Sequence, residues 1–376
     1  MKIVGIICEY NPLHLGHEKQ IRHIKTRFGT DTAVVCLMSG NFVQRGAPAI
    51  FDKSLRAKAA IHAGADLVLE LPITDALSSA EGFAAGGVSI LGKFCDYLCF
   101  GSETGDADAL MTVARALLSP EFSEKLRAEL DKGLSFPAAR QAALGELGAL
   151  VQNPNDILAV EYCKAILAQN SSMEPLPIRR PGSYHNETAD PEDPSATAVR
   201  ALILGGEDWA SYVPDAALYG GAAPHTLAAA EKAILYRLRT MTDEEFEALP
   251  YGSEGLWRKL MHASRSQTTL EQIIAATKSK RYTRTRIDRM ILCAFLGISR
   301  EMLEAPAPYT RVLAFNDIGR EVLKKARQTG IFPHTGEALA DPYQTLECRA
   351  DDLYALCAPT PELPGQTNKR RIFYAP

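Results

Sequence analysis

The chain has 376 residues, a formal net charge of −4, 46% hydrophobic residues and 23% charged ones. This is ordinary globular composition with material for two or three domains; it excludes a uniformly basic nucleic-acid binder and leaves room for a local basic face. No apolar run is long enough to span a bilayer, no signal peptide is expected ahead of the first strand, and eight scattered cysteines without a Cys-x-x-Cys pair read as reduced thiols of a cytoplasmic protein.

Lys2 to Cys8 is a short apolar run rich in β-branched residues and predicts a buried strand. Glu9-Tyr10-Asn11-Pro12 reads as a turn, because proline disfavours helix in the residue before it. His14-Leu15-Gly16-His17 follows, and residues 18–27 predict a helix. The histidines therefore stand where a strand hands over to a helix N-terminus. Unpaired N–H groups and the positive dipole end favour phosphate there, and Gly16 permits close backbone approach. Apolar runs at 32–38, 67–71 and 97–100 alternate with helical segments at 53–63 and 80–91. Short continuous apolar strands between helices predict an α/β, Rossmann-like domain with a parallel sheet covered on both faces. Ligands in such sheets bind beyond the carboxyl ends of the strands, where His14, His17, Ser39-Gly40-Asn41 and Gly101-Ser102-Glu103 fall. Residues 106–170 read as a helical insertion, 173–180 as a strand, 183–195 as a loop, and Ser195 as the start of another helix. Past 205 come helical segments at 227–239, 243–249, 254–264, 270–277 and 284–296, then a strand at 310–315. The expected division is 1–220 for the nucleotide domain and 221–376 for a mainly helical C-terminal region, with a loosely ordered tail at 359–376.

His-x-Gly-His at a strand–helix junction resembles the signature of the nucleotidylyltransferase superfamily, whose members join an ATP-derived adenylyl group to a substrate. That chemistry is in-line attack on the α-phosphate and asks for donors and positive charge around the phosphates, not for an enzyme nucleophile. Ser195, Thr197 and Arg200 resemble the Ser/Thr-x-x-Arg element of the same superfamily, which holds the β- and γ-phosphates; the plainer reading of Ser195 is a helix N-cap. Met38 to Gly46 places a Gly-Asn turn at a strand end, with Gln44 and Arg45 beyond it. Arg56 and Lys58, early in the next helix, are compatible with solvated charges, the reading favoured for Lys58.

Taken together, Val4 to His17, Met38 to Gly46, and Lys278-Ser279-Lys280-Arg281-Tyr282-Thr283-Arg284-Thr285-Arg286 resemble the bacterial tRNA(Met) cytidine acetate ligase family over roughly residues 1–330. The resemblance implies activation of acetate by ATP to acetyl-adenylate and pyrophosphate, then transfer of acetyl to N4 of the wobble cytidine of elongator tRNA(Met). It implies His14 and His17 as catalytic. It assigns ATP contacts to Ile7, Cys8, Glu9, Tyr10, Asn11, Pro12, Leu13, His14, Leu15, Gly16, His17, Glu18, Lys19 and Gln20, to Gly101 and Asn155, and to the pair Arg179 and Arg180 without choosing between them. Leu13, Leu15, Asp156 and Ala47 depart from the residues more common in that family. Lys278, Lys280, Arg281, Tyr282, Arg284, Arg286 and Arg289 form a basic cluster with an aromatic inside it, suited to phosphates and an unpaired base; a solvated helix face is the alternative. Magnesium is expected with the nucleotide, and no metal-ligand spacing is visible. Glu9 and Asp66 are both available to take the N4 proton, with no spacing that chooses. The rival functions are adenylylation of a small phosphorylated metabolite and RNA binding with a relict nucleotide site.

Overall fold

The computed structural model describes residues 1–180, 194–331, 342–367 and 369–376. Among the described residues the strands are β1 (Lys2–Cys8), β2 (Thr32–Ser39), β3 (Phe42–Val43), β4 (Ala47–Pro48), β5 (Leu67–Leu71), β6 (Tyr97–Ser102), β7 (Glu174–Arg179), β8 (Arg311–Phe315) and β9 (Phe373–Tyr374). Seven of them form one sheet in the order β7-β6-β1-β2-β5-β8-β9, and β3 pairs with β4 as a separate hairpin. The five strands from β7 to β5 are mutually parallel, as the alternation of apolar runs and helices requires. The predicted loop at 183–195 lies outside the described residues up to 193.

β1 is central, buried on both faces from Ile3 to Cys8. Helix Ala80–Leu91 presses on it closely: a side chain at Gly5 would stand 2.8 Å from Leu91 Cδ1, and one at Gly87 would run into Ile7. The N-terminal ends of the strands are tied by Asp66, whose carboxylate accepts from Val34 N (2.8 Å), Lys25 Nζ (3.0 Å) and Asn316 Nδ2 (2.9 Å). The C-terminal ends are thereby the open side of the sheet.

The C-terminal half departs from expectation in two respects. Helices from Glu231–Thr240 to Arg300–Glu304, joined by Pro342–Tyr354, surround a core of their own that includes Ile234, Phe246, Leu260, Ile291 and Tyr354. The chain then returns across the proposed boundary at 220. β8 pairs antiparallel with β5, and helix Asp317–Ala326 adds Val322 and Ala326 to the core of the sheet. The tail is also placed, contrary to its Pro-rich reading. β9 pairs with β8, Thr367 Oγ1 donates to Asp351 Oδ2 (2.8 Å), and Arg370 bridges Asp52 (2.5 Å) and Asp351 (3.4 Å). Its order comes from charged partners far away in sequence, which local composition does not reveal.

Beneath the tail, Lys53 Nζ lies 2.7 Å from Glu70 Oε1 and 3.0 Å from Asp351 Oδ2, with all three groups buried. Lys53→Met leaves buried Glu70 without its cation and Asp351 with Arg370 alone. The expected loss is about 3–5 kcal/mol in urea unfolding; a loss below about 1 kcal/mol, the value of an exposed pair, contradicts this account of the junction.

Candidate active site

β1 runs out into the loop that carries the histidines. Tyr10 takes a left-handed backbone (φ 45°), and its buried hydroxyl lies 3.3 Å from Cys36 Sγ. Helix Leu15–Phe28 begins three residues before the predicted start, because His14 itself is the N-cap. His14 Nδ1 accepts from Gly16 N–H (3.1 Å), and His17 Nδ1 accepts from His14 N–H (3.2 Å), a reciprocal capping box made of two imidazoles. The rings stack at 3.7 Å, with Tyr10 tilted against His17 at 4.9 Å. Burial, reinforced by Arg180 and Arg200, pulls the His14 pKa down to about 3. Burial, His14 and Arg180 together hold His17 well below the ordinary histidine value. Both rings are therefore neutral at pH 7. Since each Nδ1 is an acceptor, each ring proton sits on Nε2. The pair presents two oriented N–H donors.

Arg56 is the residue that sequence reading missed. It is fully buried. Its Nε donates to Phe51 O (2.8 Å), its NH1 to Glu9 O (2.6 Å) and Ser39 O (3.1 Å), and its NH2 to Gly40 O. One guanidinium thus gathers the carbonyls at the C-terminal ends of β1 and β2. The available signal was its place in the first turns of helix Lys53–His62, where a cation is unfavourable unless something else holds it.

The opposite wall comes from β6, helix Pro154–Ala168 and helix Ala196–Gly205. Glu103 accepts from the side chain of Asn155 (2.8 Å) and from Asp156 N–H (2.8 Å), and so orients the start of the first helix. Asp156 is buried and accepts from Ser102 Oγ (2.5 Å) and Thr104 Oγ1 (2.7 Å). Its carboxylate thus fixes the loop that follows β6. A side chain on Gly101 would stand 2.7 Å from Arg180 Cδ. Ser195 caps the second helix by accepting from Ala198 N–H (3.1 Å), as its plain reading expected. Arg200 donates to Asn11 O (2.7 Å) and Thr197 Oγ1 (3.2 Å), linking this helix to the histidine loop.

Between these walls lies a cavity of about 670 Å³. It is lined by Ile7, Cys8, Glu9, Tyr10, Asn11, His14, His17, Gln20, Gly101, Asn155, Arg180, Ser195, Thr197 and Arg200. Pro12, Leu13, Leu15, Gly16, Glu18 and Lys19 do not line it: Leu13 packs into the core beneath, and Glu18 pairs with Arg22 at 3.1 Å. Of the arginine pair, Arg180 faces the cavity and Arg179 is exposed outside it. Among the described residues no group of three or more His, Cys, Asp or Glu side chains could hold a metal ion.

The chain matches the HIGH Nucleotidyl Transferase family model over residues 1–369. It belongs to that family. It is 37% identical to the tRNA(Met) cytidine acetate ligase of Clostridium novyi (strain NT), covering 89% of each chain, and 34% identical to that of Acetivibrio thermocellus, covering 96% of each. The fold superposes on the crystal structure of Thermotoga maritima TmcAL in its apo form with a TM-score of 0.91 at 28% identity, over 100% of this chain and 99% of the other. The same protein bound with alpha-thio ATP gives a TM-score of 0.89 at 29% identity.

The basic cluster of this HIGH nucleotidyl transferase divides into two groups. Tyr282 is buried, its hydroxyl donating to Glu254 O (2.6 Å), so its ring is not presented to a base. Arg289 is buried over the Tyr251 ring (4.9 Å) and donates to Gln44 O (3.4 Å), joining the helical unit to the cavity rim. Arg286 is spent on Tyr251 O and Ser253 Oγ (2.9 and 2.8 Å). Lys278, Lys280 and Arg281 are exposed, as is Arg284 despite its pair with Glu271 at 2.5 Å. The inward turn has a physical cause: an aromatic and a long arginine stem gain more from covering the helical core than from solvent. Among the described residues no helix is long and apolar enough to cross a membrane.

The neutral histidines set a pH dependence. Unfolding returns both rings to water, where imidazole titrates at about 6.5. From there down to the folded value of about 3 for His14, the unfolded chain binds more protons than the folded one. Stability is therefore lost as pH falls through that window and is unaffected by these rings above it. His14→Asn combined with His17→Asn flattens the slope of melting temperature against pH on the acid side. An unchanged slope contradicts burial of neutral imidazoles.

Proposed function

We propose that this chain is an ATP-dependent ligase that activates acetate as acetyl-adenylate, releasing pyrophosphate, and transfers the acetyl group to N4 of the wobble cytidine of elongator tRNA(Met), giving N4-acetylcytidine. The observation that carries the reading is the pair of stacked neutral histidines at the strand–helix junction, facing Arg180, Thr197 and Arg200 across one cavity. The matched relatives supply the substrate: they are named for tRNA(Met), cytidine and acetate.

The geometry suits the first half-reaction. His14 and His17 offer Nε2–H donors to phosphate oxygens, and Arg180 and Arg200 supply the fixed positive charge. Acetate oxygen attacks the α-phosphorus in line, and pyrophosphate leaves toward Thr197 and Arg200. No covalent enzyme intermediate is needed. Neutral donors suit this task, because they stabilise charge that grows on the phosphates without depending on a proton at pH 7. Magnesium enters with the nucleotide. In the second half-reaction the cytosine amine is a poor nucleophile, its lone pair delocalised into the ring, and the mixed anhydride compensates. The target base is splayed from the anticodon loop into the cavity. Exposed Lys278, Lys280, Arg281 and Arg284 meet the tRNA backbone, and the enzyme works in the cytoplasm where that tRNA is. The helical unit that contributes these residues weighs against a compact metabolite adenylyltransferase.

The test incubates elongator tRNA(Met) with the protein, ATP, magnesium and acetate, and analyses the nucleosides by mass spectrometry. An N4-acetylcytidine peak that needs both ATP and acetate is expected. An adenylylated metabolite in its place contradicts the reading. His14→Ala and His17→Ala each lower acetate-dependent ATP–pyrophosphate exchange by about 10²–10³-fold and leave tRNA binding nearly intact; the opposite pattern overturns the assignment of the site.

A further inference from the structure

Attack by N4 on the acetyl carbon leaves one proton too many on nitrogen, and the cavity must hold a group that takes it. This question rests on the ligase reading above, and the side chains lining the cavity answer it by exclusion. His14 and His17 each spend Nδ1 on a backbone N–H, so the remaining ring nitrogen already carries the proton. The arginines are always protonated. Cys8, Tyr10 and Tyr162 are buried with their protons held on, since burial raises the pKa of each. His225 reaches the cavity wall, but both its ring nitrogens are shut off from water and its ring lies flat on Tyr354 at 4.0 Å. Asp66 is at the other end of the strands, bonded to Val34 N–H and Lys25.

Glu9 is left. It is the one carboxylate among the described residues that line the cavity. It is held from two sides. Its Oε1 accepts from Gln44 N–H at 2.8 Å, and its own carbonyl accepts from buried Arg56 at 2.6 Å. That leaves Oε2 for substrate. Glu9 directly follows β1 and opens the loop that carries His14, so the two side chains line one cavity from a single segment. We infer that Glu9 is the catalytic base of the acetyl-transfer step. The bond from N4 to the acetyl carbon forms, the bond from that carbon to the phosphate oxygen breaks, AMP leaves with the electron pair, and the N4 proton passes to Glu9 Oε2. The charged and titratable groups about the carboxylate are Tyr162 from helix Pro154–Ala168, which feels the Glu9 charge, Cys8 beside it in the chain, and Arg56 from below.

The test is Glu9→Gln, which keeps an acceptor for Gln44 N–H and removes the base. Two rates are measured on the intact protein: acetate-dependent ATP–pyrophosphate exchange, and single-turnover acetyl transfer to tRNA(Met), the latter as a function of pH. Transfer is expected to fall by about 10²–10⁴-fold and to lose its acid limb, while exchange falls far less. Glu9→Asp is expected to transfer slowly with the acid limb retained, and the surviving exchange activity reports that each variant is folded. Transfer near the wild-type rate with the acid limb intact overturns the inference. Equal losses in exchange and transfer also overturn it, by placing Glu9 in service of the nucleotide. Failure of the wild type to make N4-acetylcytidine is a separate outcome, and it removes the ligase reading together with the inference built on it.

Discussion

The site depends on one buried cation. Arg56 makes four hydrogen bonds to carbonyls of Phe51, Glu9, Ser39 and Gly40, and no carboxylate is needed to hold it. Burial pulls its pKa below the ordinary arginine value, yet a guanidinium keeps its proton and distributes it over a planar fork that fits several carbonyls at once. Without it, the carbonyls at the ends of β1 and β2 would be buried and unpaired, at about 1–3 kcal/mol each. With it, the two strand ends, the β3–β4 hairpin and the start of helix Lys53–His62 become one body. Glu9, Tyr10 and His14 all hang from that body, so the precision of the chemistry is set by a residue that never meets the substrate.

The helical unit is joined to the same body by polar contacts. Asn41, next to Gly40, donates to Asp351 (2.9 Å); Arg289 reaches Gln44 O; and Arg370 of the tail grips Asp52, the N-cap of the helix that bears Arg56. Each contact ends within a few residues of the histidine loop or of its supports. The unit proposed to meet the tRNA backbone is thus fastened to the walls of the ATP cavity.

Much of this was legible in the chain. The parallel core and the strand–helix placement of His14 and His17 follow from apolar runs and one proline, because local periodicity and φ restriction decide them. What was illegible depends on distance. Arg56 looks like a surface charge until its four carbonyls are placed. Arg289 and Tyr282 look like nucleic-acid contacts until the helical core they cover is built. β9 is two residues long and carries no pattern, and the tail's order rests on Asp52, hundreds of residues earlier in the chain, and on Asp351, 19 residues before Arg370. The choice between Arg179 and Arg180 turns on the strand's alternation of sides at its final residue, where β7 ends at Arg179.

The central claim is that acetate oxygen attacks the α-phosphorus. The direct measurement uses acetate labelled with oxygen-18 in both positions, ATP and tRNA(Met), followed by mass analysis of the nucleotide products. Attack at the α-phosphorus leaves one labelled oxygen in AMP and none in pyrophosphate. Label in inorganic phosphate, with ADP as the nucleotide product, would mean that acetate is activated at the γ-phosphate, and the account of the histidine site would be wrong.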